Sequence, residues 1–145
     1  MDGINGGRLN IASCSLGAAQ WALEVALNYC SERKQFKQAL IDFQNTQFKI
    51  ATFAAELLAS RLLVRAAARR IDEEESGGEL QCDTDNSHIA IPPLCAASKL
   101  MATEKCYTII DGCLQMLGKF LDIAIISIVY IIGFNFITRW LWLSH

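Results

Sequence analysis

Six cysteines, two histidines and a spaced set of arginines have the most chemistry to offer in this 145-residue chain. Cys14, Cys30, Cys82, Cys95, Cys106 and Cys113 form no C-x-x-C pair, and five of the six stand in apolar helical patterns. A secreted disulfide scaffold is short, loop-rich and led by a signal peptide. Here Met1-Asp2-Gly3 runs straight into Ile4-Asn5-Gly6-Gly7-Arg8 with no apolar h-region or Arg/Ser-rich presequence, as if from inside something larger. Reduced, buried thiols are therefore expected. His88 and His145 stand alone, so a zinc ion has no ligands at useful spacing and no metal site is expected. Arg61, Arg65 and Arg69 recur every four residues, the mark of a wet helix face rather than a ligand cluster. No nucleophile pairs with a base in any known pattern, and no Gly-rich phosphate loop joins a strand to a helix. On spacing alone Gly6-Gly7 is a turn before a helix, Arg33 a solvated loop charge and Gln115 a surface amide.

Composition narrows the class further. Hydrophobic residues make up 52% and charged residues 19%, with mean hydropathy +0.26, which excludes intrinsic disorder. Thirteen basic residues against 15 acidic ones leave net −2, so there is no surplus to neutralise a phosphate backbone and no nucleic-acid partner is expected. Only two prolines and nine glycines punctuate the chain, too few for a turn-rich β-sandwich.

The elements that must position these residues are helices. Residues 8 to about 31 carry a narrow polar stripe (Asn10, Ser13, Gln20, Glu24, Asn28) on an otherwise apolar or small surface, so this helix must pack against more than one neighbour. Ser31 to Gln38 is polar and reads as a connection. A second helix is expected from about Ile41 to Ile71, with an Arg69–Glu73 pair at i,i+4 and fraying at Asp72-Glu73-Glu74-Glu75, where acidic residues oppose the helix dipole. Ser76 to His88 reads as a long loop, after which Pro92-Pro93 opens a third helix. Its polar stripe is Glu104, Thr108, Asp111 and Gln115. No convincing strand precedes residue 118. The tail from 119 differs in kind: Ile123 to Phe134 is 12 uninterrupted residues, short of the roughly 20 needed to cross a bilayer. Extended to Trp140 and Trp142 it is a weak membrane-span candidate, against which Asp122 and Arg139 count.

Three blocks are distinctive together. The first runs from Gly3-Ile4-Asn5-Gly6-Gly7-Arg8 through Ala19. The second is Arg33-Lys34-Gln35-Phe36, followed by Gln44 and Gln47, and the third is Gln115-Met116-Leu117-Gly118. In this order and at these separations the chain resembles the C-terminal helical domain of the acyl-CoA dehydrogenases over residues 3 to about 118, closest to the isobutyryl-CoA dehydrogenase branch. The resemblance implies an all-α, up-and-down helical bundle, incomplete, over residues 1–118, with 119–145 an unrelated apolar tail. It also implies a mitochondrial-matrix enzyme that oxidises an acyl-CoA to the 2,3-enoyl-CoA with FAD. Electrons would pass on to electron-transfer flavoprotein, and the enzyme would be a homo-oligomer, a tetramer in the family.

By that resemblance Asn5, Gly6, Gly7 and Arg8 match substrate-binding positions. Glycine lets backbone approach a ligand closely, and Arg8 offers a forked donor. Arg33 matches the arginine that meets the FAD pyrophosphate from an adjacent subunit, a role suited to a permanently charged bidentate donor. Gln35, Phe36, Phe43 and Gln44 match nearby cofactor contacts, and Gln115, Met116, Leu117 and Gly118 match a second FAD-binding turn. The departures carry weight too. Lys37 and Lys119 replace family glycines, and Phe120-Leu121 replaces a Gly-Tyr continuation. No Tyr-Glu-Gly-Thr-like stretch supplies the catalytic glutamate, and the alternative position beside Arg8 is Gly7. A general base must reach the proton it takes, so no catalytic residue is assigned and the chain is expected to be inactive alone, a truncated or alternative product. Two other readings stand beside this one: a helical fragment that binds a full-length relative, and a membrane-anchored helical protein held by its tail.

Overall fold

The computed structural model describes residues 2–75 and 90–118. They form three long helices, α1 (Asp2–Glu32), α2 (Gln44–Glu75) and α3 (Ile91–Leu117). A two-residue antiparallel hairpin (β1 Lys34–Gln35, β2 Gln38–Ala39) and a single 3-10 turn (Leu40–Asp42) join α1 to α2.

Each helix buries residues in steps of three and four. On α1 these are Leu9, Ala12, Leu16, Ala19, Leu23, Ala26 and Cys30, on α2 Phe53, Leu57, Ser60, Val64 and Ala67. That spacing is the seam of a helical bundle. Leucines alternate with fully buried alanines along α1, so large side chains fill the core while the alanines let α3 come close. α3 answers with Cys95, Ser98, Ala102, Cys106, Ile109 and Cys113, all buried. The path is up, down and up. Gln20 of α1 meets Arg61 of α2, Leu63 of α2 meets Ser98 of α3, and Phe53 near the start of α2 lies against Gly112 near the end of α3. The all-α bundle expected from the resemblance is thus the observed fold. The buried hydroxyls of Ser60 and Ser98 donate to the carbonyls of Glu56 (2.8 Å) and Leu94 (2.7 Å) one turn back, so burial leaves them satisfied.

Several local expectations are corrected. α1 begins at Asp2, so Gly6 and Gly7 lie within its first turns and are no turn before it. Burial of Asn5 and Leu9 on either side outweighs the roughly 1 kcal/mol that each glycine costs a helix. α2 starts three residues later than expected, at Gln44, and is helical through Glu75, the acidic cluster included. Ile71 packs on the core there, and the acidic pairing is Arg70–Glu73 (3.9 Å) instead of Arg69–Glu73. The connection at 34–39 contains two short strands where none was expected. Arg61 is half-buried and donates to Gln20 Oε1 at 3.0 Å, so only Arg65 and Arg69 of that set stand on the wet face. Among the thiols, Cys14 is exposed, whereas Cys30, Cys95, Cys106 and Cys113 are buried and free. The Ser76–His88 loop, Cys82, His88, His145 and the 119–145 tail lie outside the described residues. Among the described residues no helix is long and apolar enough to cross a membrane.

Candidate functional site

The sequence-expected residues fall at opposite ends of the bundle. At one end α1 opens with Asn5, buried to 8% exposure, whose side-chain oxygen accepts from Arg8 Nη1 at 3.2 Å. Arg8 also lies close enough to Cys95 at the start of α3 to favour its thiolate, although burial dominates and pushes that thiol up. A side chain at Gly6 or Gly7 would meet nothing within 4 Å, so both backbones are open to approach. Asn5, Gly6, Gly7 and Arg8 therefore share about one turn of one helix.

The other end is built where α1 stops. Arg33 N donates to Tyr29 O and Arg33 O accepts from Leu40 N, each at 2.9 Å, which fixes Arg33 between the helix end and the hairpin. The hairpin pairs Lys34 with Ala39 and Gln35 with Gln38, so Phe36 and Lys37 form its two-residue tip. Both tip residues are left-handed, with φ of 52° and 70°. That is the geometry of a type I′ turn, which favours Asn-Gly. Lys37 thus holds a conformation that favours glycine. α3 ends on Gly118, whose φ is also positive (φ 65°, ψ −134°), a conformation open to glycine, and whose N–H donates to Leu114 O at 3.1 Å.

These two helix ends border an open recess of about 380 Å³, lined by Tyr29, Arg33, Gln35, Leu40, Met116, Leu117 and Gly118. The second and third sequence blocks, 80 residues apart, thus share a single surface. Arg33, Gln35, Met116, Leu117 and Gly118 are on it. Phe36 is not: it projects from the hairpin tip at 89% exposure. Phe43, half-buried, and Gln44, exposed, sit at the start of α2 and do not line the recess, and neither does the exposed Gln115. Sequence reasoning missed Tyr29 and Leu40. The signal for Tyr29 was its position one helical turn before Arg33, which puts a phenol on the same side as the guanidinium. Leu40 carried no signal, since the hairpin that folds it back was not foreseen.

Among the described residues no carboxylate or imidazole lines the recess. Its donors are a guanidinium, an amide and a phenol. Among the described residues no group of three or more His, Cys, Asp or Glu could hold a metal ion. The buried thiols do not compensate. Burial pushes Cys106 and Cys113 up to about 12 from an ordinary value of 9.0, so they stay protonated and unreactive at neutral pH.

Comparison with known proteins places this arrangement. The family model for the acyl-CoA dehydrogenase C-terminal domain matches residues 1–120. Mitochondrial isobutyryl-CoA dehydrogenase from Bos taurus is 42% identical over 120 residues, covering 83% of this chain and 26% of that protein. The Dictyostelium discoideum isobutyryl-CoA dehydrogenase is 39% identical over the same length and shares. Among solved structures, butyryl-CoA dehydrogenase from Megasphaera elsdenii superposes with a TM-score of 0.66 at 28% identity, over 80% of this chain and 27% of that one. A glutaryl-coenzyme A dehydrogenase complex gives 0.66 at 34% identity, over 80% and 26%. The chain therefore spans about a quarter of the length of the relatives it matches.

Proposed function

Since the chain belongs to the acyl-CoA dehydrogenase family, through that family's C-terminal domain, we propose that it supplies the helical wall of an FAD-dependent dehydrogenase acting on a short or branched acyl-CoA. The observation that carries this reading is the recess shared by Arg33, Gln35 and the 116–118 turn. FAD supplies the hydride acceptor in such a reaction. This chain's own contribution would be to hold it: Arg33 would offer its guanidinium to the phosphates, Gln35 and Tyr29 would add further donors, and Gly118 would leave room beside the backbone. The donor set fits a phosphate-bearing ligand. Its volume is near the low end of small-molecule sites, about 300–1,000 Å³, so the recess takes a portion of a dinucleotide and leaves the rest to other surfaces. Phe36, Phe43, Gln44 and Gln115 contribute from outside this recess.

Asn5, Gly6, Gly7 and Arg8 serve the acyl-CoA at the other end, the bidentate hand of Arg8 held ready by Asn5. No residue of the chain is assigned to remove the α-proton, so it does not turn over substrate alone. In the assembled enzyme it works as a homo-oligomer in the mitochondrial matrix, with electron-transfer flavoprotein as acceptor. A non-enzymatic role, binding a full-length relative through the same helical faces, is the alternative and uses the same fold.

The test is weak-ligand NMR with FAD and with ADP on the full chain. The expected result is shifts confined to Arg33, Gln35 and Met116–Gly118, abolished in Arg33→Ala and partly retained in Arg33→Lys. No dye reduction is expected on adding isobutyryl-CoA. Shifts of equal size in Arg33→Ala, or none at the recess, would refute the assignment.

A further inference from the structure

α1 and α3 run parallel and leave an apolar furrow between them. Its α1 edge is Ile11, Cys14, Ala18, Trp21 and Val25, and its α3 edge is Leu100, Thr103, Tyr107, Ile110, Leu114 and Leu117. Both edges advance in steps of three and four, the spacing of a single helix face. Trp21 and Val25 share a cleft with Ile110, Leu114 and Leu117, which brings the two edges together. Trp21, Leu100 and Tyr107 stand 40%, 49% and 56% exposed. Thr103 is polar, but its hydroxyl donates to Lys99 O at 2.9 Å and keeps that partner when covered. The cleft is about 10 Å³, room for a water and no more. No small ligand fits it, whereas side chains of a segment laid along the furrow can close it.

We propose that residues 119–145 of this same chain fold back from Gly118 and seat their apolar run, Ile123 to Phe134, in the furrow. Position, length and composition single that segment out. Leu117 lines the furrow and Gly118, at positive φ, ends α3 beside it, so the segment sets out from the furrow's own end. Leu117 to Tyr107 is ~15 Å along α3, and twelve residues span ~18 Å even at helical rise. The run holds no charged residue, and it is too short to satisfy its apolar surface in a bilayer, which takes about 20. Attachment makes the encounter intramolecular, at an effective concentration in the mM range for a short tether, an advantage no separate partner shares. The other segment outside the described residues, 76–89, carries no apolar run and starts from α2 towards the furrow's opposite end. Phe48, Leu58 and Leu62 make an apolar ridge on α2, but a ridge touches a passing segment on one side, while the furrow touches it on two and buries more surface. The family model stops at residue 120, so this seat belongs to the chain's own sequence. The inference uses neither Arg33 nor Gln35, so it stands or falls apart from the flavin reading.

Photo-crosslinking in the full chain tests it. A benzophenone amino acid is placed at Trp21, at Tyr107 in a second variant and at Leu58 in a third, and unlabelled and nitrogen-15 chains are mixed before irradiation. Peptide mapping by mass should join the Trp21 and Tyr107 probes to 119–145 of the same isotope, and the Leu58 probe to none of it. Ile125→Glu with Ile128→Glu sets two charges in the run and should abolish both joins. A readout free of foreign side chains is the emission of Trp21 in a Trp140→Phe, Trp142→Phe chain, which the same two glutamates should shift to the red. Joins found only between unlike isotopes would mean that a second copy supplies the segment. Joins from Leu58 instead would mean that the α2 ridge is its seat, and no join from Trp21 or Tyr107, with Trp21 emission unmoved, that the furrow is empty. Each of these overturns the proposal.

Discussion

Gly112→Ala gives the sharpest test of the packing. A methyl group at Gly112 would overlap the Cζ of Phe53 and lie 2.6 Å from its Cε2 and 3.2 Å from its Cε1. The ring cannot step aside freely, because Phe53 is 8% exposed and belongs to the core. Two effects compete. Alanine favours a helix interior over glycine by about 1 kcal/mol, while forcing an extra carbon into a packed core costs about 1–3 kcal/mol. With two ring atoms inside 3 Å the upper part of that range applies, so Gly112→Ala should destabilise by about 1–2 kcal/mol net. The discriminating step is to repeat it in Phe53→Leu, which removes the atoms in conflict. There the clash vanishes and the same substitution should stabilise by about 1 kcal/mol. Urea unfolding followed by helical circular dichroism at constant slope reads both. The reasoning fails if Gly112→Ala stabilises the wild-type chain, or if its effect has the same sign and size in both backgrounds.

Three further outcomes follow from local geometry. Lys37→Gly should stabilise by about 0.5 kcal/mol, since a left-handed non-glycine residue costs roughly 1–2 kcal/mol and glycine's extra chain entropy returns part of the gain; Lys37→Ala keeps the strain and should show no increase in melting temperature. Iodoacetamide followed by peptide mass mapping should label Cys14 ahead of Cys30, Cys95, Cys106 and Cys113, and equal labelling in native buffer would contradict the buried assignments. Stability should fall as pH rises from 9 towards 12. The Cys106 and Cys113 thiols are raised from 9.0 to about 12 on folding, so in that window the unfolded chain has released protons that the native one still holds. Below pH 9 both states are protonated and the contribution is complete. A urea midpoint whose decline above pH 9 is the same in a Cys106→Ala, Cys113→Ala variant would remove these thiols as its cause.

The helices were legible because a polar stripe is a local signal. Glu104, Thr108, Asp111 and Gln115 are all exposed, as their spacing required, and Pro92-Pro93 stands in the first turn of α3. What escaped the sequence was decided between segments. The expected helix end near Ile71 followed from the dipole alone, but Ile71 packs on the core and the helix includes Asp72–Glu75, since packing outweighs a dipole effect of a few tenths to 1 kcal/mol. Arg61 shares its spacing with Arg65 and Arg69, yet only it faces α1 and finds Gln20, and no single-helix pattern contains that partner. The hairpin was hidden for a different reason. Its tip residues, Phe36 and Lys37, are among the last a turn rule would choose for positive φ. Of the candidate site, the two blocks that meet at the recess were found by resemblance. Tyr29 and Leu40 could be found only from the fold.

The separation of the two ends constrains how the proposed function can be arranged. Arg8 and Arg33 are 25 positions apart, almost all of them in α1, which places them ~37 Å apart along its axis. Hydride transfer needs the substrate carbon about 3–3.5 Å from its acceptor, so an acyl-CoA served by Asn5–Arg8 must meet the reactive ring of its flavin at that end. The recess at Arg33 is then too distant to hold the same ring. A flavin whose ring lies near Arg8 could reach the recess only by stretching most of the bundle's length. The simpler arrangement gives each end to a different cofactor molecule, so that Arg33 grips the phosphates of a flavin whose chemistry occurs beside another copy's Arg8. On that arrangement loss of Arg33 damages a neighbour's cofactor retention and loss of Arg8 damages the chain's own substrate binding. The two defects would then complement each other in a mixed oligomer, in which some sites receive both intact arginines. A single shared flavin would give no such recovery.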